Sequence, residues 1–168
     1  TFDMKDVYNT YAIGGCDLSA TTDLTCATLL IRRSREEDTV YVLHQYFLPE
    51  RRIEQLDEHN SNEAPYKAWA ARGLLTICPG NRVDYSAVTA WYCQMRDEFK
   101  IDCFAVGYDR ALAGYWVDEM KANGFDMHAV AQGPFTWSQP MREMGAAFAD
   151  KKVNYNKNPM LTWCLTNT

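Results

Sequence analysis

Residues 11–31 restrict the fold more than any other stretch. Tyr11-Ala12-Ile13 is an apolar approach, and Leu24 to Ile31 is a run rich in β-branched and apolar residues. Between them lies Gly14-Gly15-Cys16-Asp17-Leu18-Ser19-Ala20-Thr21-Thr22-Asp23, whose polar end from Ser19 to Asp23 has the composition of a turn. The pattern is strand, tight turn, strand, with Asp17 at or just before the end of the first strand. A carboxylate in that place is poorly suited to burial unless its charge is compensated, and a divalent cation is one compensator. Equally, Asp17 and Asp23 can serve as turn formers that hydrogen-bond their own backbone.

The rest of the chain extends this start into a mixed sheet. Strands are expected at 10–17, 24–33 and 40–47, joined by short connections, which makes an antiparallel meander. The connector after the second strand carries Arg32, Arg33 and Arg35 among acids, in the manner of a solvated hairpin tip or of phosphate contacts. Residues 51–72 are polar and helical in parts, with a loop near Asn60-Ser61-Asn62 and Pro65. A short strand over 74–78 stops at Pro79-Gly80. Asp84 can cap the next helix, where Val88, Trp91, Tyr92, Met95 and Phe99 recur on one apolar face.

The near-continuous apolar run from Ile101 to Tyr108 reads as a central strand buried on both faces, ending on Asp109. A helix follows, with Leu112, Tyr115, Trp116 and Met120 on one side and Asn123-Gly124 as its stop. Met127 to Ala131 makes another strand. Ser138 is expected to cap a helix with Pro140 in its first turn and with Met141, Met144 and Phe148 facing inward. Lys152 to Tyr155 is a short extended segment, and Asn158-Pro159 opens a last helix. Helical crossovers after a meander give a mixed central sheet flanked by helices, and in open sheets of this kind sites collect at the carboxyl ends of strands.

Composition sets limits on function. The chain of 168 residues suits one domain, and 47% hydrophobic residues are ample for a core. A net charge of -5 argues against a general nucleic-acid coat and leaves room for a local basic groove. No apolar run reaches the ~18 residues of a membrane helix. The six cysteines form no C-x-x-C pair, so zinc and disulfide frameworks are not expected; reduced core thiols are. The three histidines, His44, His59 and His128, lack metal-ligand spacing and read as structural or exposed. Neither G-x-x-x-x-G-K-[ST] nor G-x-S-x-G occurs.

Two carboxylates on adjacent strands, Asp17 and Asp109, repel each other unless a metal ion lies between them, and such an ion supplies Lewis-acid chemistry to a phosphoryl group. The sequence around them resembles a known family. Gly14-Gly15-Cys16-Asp17-Leu18-Ser19 followed by Asp23-Leu24-Thr25 is similar to the opening of the nuclease domain of tailed-phage (or prophage) terminase large subunits. Val106-Gly107-Tyr108-Asp109-Arg110 resembles that family's second acidic strand, and Gln132-Gly133 its next segment. Asn156 to Trp163, with Asn167, resembles its late Asn-Pro motif.

The resemblance implies an α/β, ribonuclease-H-like fold: an antiparallel three-strand meander, then β/α units, flanked by helices. It implies a single nuclease domain over residues 1–168, a carboxyl-terminal part of a longer protein. The expected activity is a divalent-metal-dependent endonuclease cutting concatemeric double-stranded viral DNA during packaging, by two-metal-ion hydrolysis. Asp17 and Asp109 would hold Mg2+ or Mn2+, with Asp23 as a weaker accessory candidate. Arg32, Arg33, Arg35, Arg110, Lys151 and Lys152 are the candidate DNA contacts. The implied partners are a terminase ATPase motor, a small terminase subunit and a portal, in the cytoplasm of a bacterial host and with no membrane. The family's third acidic residue would follow Thr168. Two alternatives stand beside this: an actin- or sugar-kinase-like ATP-binding lobe, since Asp17-Leu18-Ser19-Ala20-Thr21-Thr22 also resembles a phosphate hairpin, and a non-catalytic interaction domain with both aspartates as caps.

Overall fold

The computed structural model describes residues 1–58, 64–111 and 114–167. The elements run β1 (Tyr11–Asp17), β2 (Thr25–Arg32), β3 (Val40–Pro49), α1 (Glu50–Glu58), α2 (Tyr66–Ala71), β4 (Leu75–Cys78), α3 (Tyr85–Asp97), β5 (Asp102–Tyr108), α4 (Gly114–Ala122), β6 (Met127–Ala129), α5 (Pro134–Ala149), β7 (Val153–Asn154) and α6 (Pro159–Thr166). The loop expected near 60–62 and the expected contact of Leu112 lie outside the described residues, as does His59.

The sheet order is β4-β3-β2-β1-β5-β6, with β7 paired to the start of β3. β1, β2 and β3 form the antiparallel meander. The pairs β3–β4, β1–β5 and β5–β6 are parallel, as helical crossovers require. The mixed sheet expected from the sequence is therefore the one that forms.

Alternation along the strands divides the interior into two layers. In β3, Tyr41 and Phe47 join a core with Val88 and Tyr92 of α3 and Trp116 and Met120 of α4. Tyr46 and Leu48 point the other way, into a smaller core with Trp69 of α2 and Met160 of α6. Several helix signals act where expected. Asp84 accepts a hydrogen bond from the Ser86 N–H at 3.0 Å, Asn158 accepts one from the Met160 N–H at 2.9 Å, and Gly124 stops α4 at φ 90°.

Four expectations are corrected. β5 is not buried on both faces: Phe104 is 60% exposed and stacks on the equally open Tyr11, ring centroids 5.2 Å apart. Among the described residues the second layer covers β3, β4 and the start of β2 and leaves the β1–β5–β6 side of that face open. Next, α5 begins at Pro134 after Gly133, and Pro140 lies inside it. Two prolines compete for the first turn, and the earlier one takes it. Finally, α5 has no buried residue: Met141 and Met144 are exposed, and among the described residues Phe148 alone on this helix has a ring partner, Tyr155. Tyr115, expected inward on α4, is also exposed. Periodicity identifies an apolar stripe, but not whether another surface lies against it.

The two glycines of β1 differ in role. A Cβ on Gly14 would meet Val106 Cγ2 at 3.0 Å, Cys103 Sγ at 3.2 Å and Tyr92 Cε1 at 3.3 Å, so this position lets β1, β5 and α3 close together. A Cβ on Gly15 would meet nothing within 4 Å. Gly14→Ala is expected to destabilise the protein by about 1–3 kcal/mol through overpacking, whereas Gly15→Ala stays within about 1 kcal/mol of the parent. Urea unfolding of the two variants checks this, and equal losses would contradict it.

Candidate metal and nucleic-acid site

Asp17 is the last residue of β1, and Asp109 follows the last residue of β5. The strands pair in parallel, with Cys16 opposite Tyr108. The next residue on each is an aspartate, so the register itself brings the two carboxylates side by side at the carboxyl ends. Both line a cavity of about 640 Å³ on the open face of the sheet. Its floor owes its depth to two glycines: Gly15 and Gly107 are register neighbours on β1 and β5, flanked by Thr28 on β2 and His128 on β6. Val130 and Trp137 also line it.

The end of β1 is held from below. The Tyr92 hydroxyl donates to the Gly15 carbonyl at 2.8 Å, and the Tyr85 hydroxyl donates to the Ser19 carbonyl at 2.6 Å. The Ser19 N–H donates to Thr25 Oγ1 at 2.9 Å, fastening the turn that follows Asp17. These bonds make the aspartate position a consequence of the fold.

The electrostatics differ between the two carboxylates. Asp17 counts as exposed by surface area, yet its carboxyl sits in a concavity walled by protein. That partial desolvation raises its pKa above the usual carboxylate value, and the nearby charge of Asp109 raises it further. Asp109 Oδ1 accepts a hydrogen bond from the Ala111 N–H at 2.9 Å, a turn-forming contact that occupies one of its oxygens. Among the described residues no group of three His, Cys, Asp or Glu side chains could hold a metal ion. Two carboxylates nonetheless fit a hard cation, because Mg2+ retains several waters and is held by one or two carboxylates.

The other sequence candidates divide by position. Arg110 lies at the site, lining a second cavity of about 500 Å³ that also includes Asp109. Asp23 is exposed in the β1–β2 turn and does not line the carboxylate cavity. Arg32 pairs in register with Tyr11, at the opposite end of β1 from Asp17. At ~3.3 Å per residue this separates Arg32 from the carboxylates by about 20 Å. Arg33 is engaged by Glu37, at 2.9 and 2.7 Å, and by the Tyr41 ring, 4.4 Å from the guanidinium carbon. Lys152 belongs to the same far end, because its carbonyl accepts from the Val40 N–H and its ammonium lies 3.3 Å from Asp38. The structure thus brings Asp17, Asp109 and Arg110 together and leaves the hairpin arginines and the two lysines elsewhere.

Sequence reasoning gave no role to His128, Gln132 or Trp137, which line the same cavity. Gln132-Gly133 was visible as a motif; its neighbourhood to Asp109 depends on β6 lying beside β5.

Comparison with known proteins places the fold and the family. The family model of the terminase large subunit endonuclease domain matches residues 1–168. The large terminase subunit of Enterobacteria phage HK97 is 29% identical over 161 residues, which cover 91% of this chain and 30% of that protein. The protein YmfN of Escherichia coli (strain K12) is 27% identical over 163 residues, covering 90% of this chain and 34% of YmfN. The chain thus spans about a third of the length of these relatives. The crystal structure of the HK97 large terminase superimposes with a TM-score of 0.76 at 24% identity, over 91% of this chain and 31% of that one, so the fold is ribonuclease-H-like. With a whole-length family match on a sheet that sets two aspartates together, the chain belongs to the endonuclease-domain family of terminase large subunits.

Proposed function

We propose that this domain cuts double-stranded viral DNA during genome packaging, as a divalent-metal-dependent endonuclease. The observation that carries the reading is the convergence of Asp17 and Asp109, from strands distant in sequence, in one open cavity. In this reading the two carboxylates hold Mg2+ or Mn2+. Oxygen donors favour these ions over zinc. When bound, paired ions supply Lewis-acid stabilisation of the phosphoryl oxygens and a water of lowered pKa. The protein's own part is positional. The register of β1 and β5 fixes the carboxylates, the glycine floor admits a phosphodiester backbone, and the open face leaves the approach clear. A motor ATPase, a small terminase subunit and a portal are the proposed partners, and the cytoplasm of a bacterial host is the proposed setting.

Because Asp17 ionises against desolvation and against Asp109, its charged form costs stability in the absence of metal. Its folded pKa is raised, so the cost is absent below the ordinary carboxylate pKa and present once pH rises above the folded value. Asp17→Asn is therefore expected to raise the metal-free melting temperature at neutral pH and to lose that advantage in acid. Asp109→Asn keeps an acceptor for the Ala111 N–H. Both variants are expected to lose Mn2+-dependent nicking of plasmid DNA by the full-length protein, and to lose the rise in melting temperature that Mn2+ gives the parent. Parent-rate cleavage by either variant would remove the proposed site.

DNA binding is expected to be weak, with little sequence preference. Arg110→Ala should weaken it and reduce the slope of log affinity against log salt by about 1, the loss of one neutralised phosphate. An unchanged slope in a fluorescence anisotropy titration would exclude Arg110 as a phosphate contact.

A further inference from the structure

In the nuclease reading a divalent ion offsets the charge of the carboxylates, but the phosphate oxygens that do not touch the ion still need donors from the protein. The cavity's two acidic side chains, Asp17 and Asp109, face an incoming phosphodiester that is itself an anion. His128 lines the same cavity, but its Nε2 is 2.8 Å from Asp126 Oδ2 and so is directed to a carboxylate. Arg110 lies in the second cavity. Neutral hydrogen-bond donors within the first cavity are what a phosphate needs there.

Gln132 has the placement for that role. Together with Asp109 and Val130 it lines both cavities, so it stands on the rim where they meet. The Trp137 indole N–H donates to its Oε1 at 3.0 Å. That bond sets the orientation of the amide: the carbonyl oxygen faces the indole and the NH2 group, which can only donate, is turned away from it. Carboxylates cannot donate to a phosphate oxygen, whereas this group can. The same bond fixes the indole. Trp137 is 39% exposed and no residue of α5 is buried, so its ring is held by Gln132 rather than by a core. A ring held in this way leaves a face for a sugar or a base.

We propose that Gln132 and Trp137 form a substrate-positioning pair: the Gln132 amide donates to a phosphate oxygen next to the bond being cut, and Trp137 packs on the adjoining sugar or base. This rests on the nuclease reading and adds the strand's path, from the carboxylate cavity across Gln132 toward Arg110. The pair acts on binding and placement, and the metal ligands remain the aspartates.

The test is anisotropy with a short labelled DNA duplex in the presence of Mn2+, alongside calorimetric Mn2+ binding and melting temperature. Gln132→Ala is expected to weaken duplex binding about tenfold, the loss of a hydrogen bond to a charged group. Because a neutral donor releases no counterion, the salt slope stays at the parent value, in contrast to Arg110→Ala. Mn2+ affinity and melting temperature also stay at parent values. Trp137→Phe, which keeps a ring and loses the N–H, weakens binding less than Trp137→Ala does. Parent-like DNA affinity in Gln132→Ala overturns the proposal, and so does an affinity loss accompanied by a matching fall in melting temperature. If the parent binds both Mn2+ and DNA and Asp17→Asn loses Mn2+, a silent Gln132→Ala sinks this inference alone. If the parent binds neither, the nuclease reading falls, and this inference with it.

Discussion

Asp17 and Asp109 stand side by side because β1 takes β5 as a parallel neighbour, one residue short of each carboxylate. Everything at the site depends on that pairing. It requires close approach at Gly14, where a methyl group would press on Val106, Cys103 and Tyr92. It requires the Tyr92 hydroxyl beneath the Gly15 carbonyl, which ties the sheet to α3. The like-charge repulsion at the end of the two strands is sustained by these contacts, since a buried core of aromatic and aliphatic side chains behind the strands keeps them from separating.

The open face in front of the strands has two characters. At the carboxyl ends it is acidic and concave. At the other end, on Tyr11, Ile13, Leu30 and Phe104, it is apolar and exposed. The hairpin arginines and the two lysines gather near that second end, about 20 Å from the aspartates by strand rise. Arg110 is the exception, beside Asp109 at the carboxyl ends. Two of the basic groups, Arg33 and Lys152, are held by acids in the same region, which lessens what that end can offer a phosphate.

The helix α5 bears on how the site is walled. It starts beside the cavity and ends near β3, yet it contributes only Trp137 to the cavity wall, through the bond to Gln132. Its apolar stripe of Trp137, Met141 and Met144 has the spacing of a packed helix and the exposure of an unpacked one.

Much of this was legible in the sequence. The meander, the β/α units, the caps at Asp84 and Asn158 and the ends of strands at Asp17 and Asp109 follow from local patterns, because turn chemistry and side-chain alternation act over a few residues. The whole-chain resemblance to terminase nuclease domains rested on four short motifs in order, and the family match agrees with it. The exposure of Phe104, the start of α5 at Pro134 and the outward Met141 were misread, since hydrophobic pattern reports what a residue prefers and not what surface is available to it. Only the tertiary structure decided which candidate charges share a site. Asp17, Asp109, Arg110 and Gln132 meet because β1, β5 and β6 are neighbours in one sheet, and strand order is set by long-range packing that no local stretch of residues encodes.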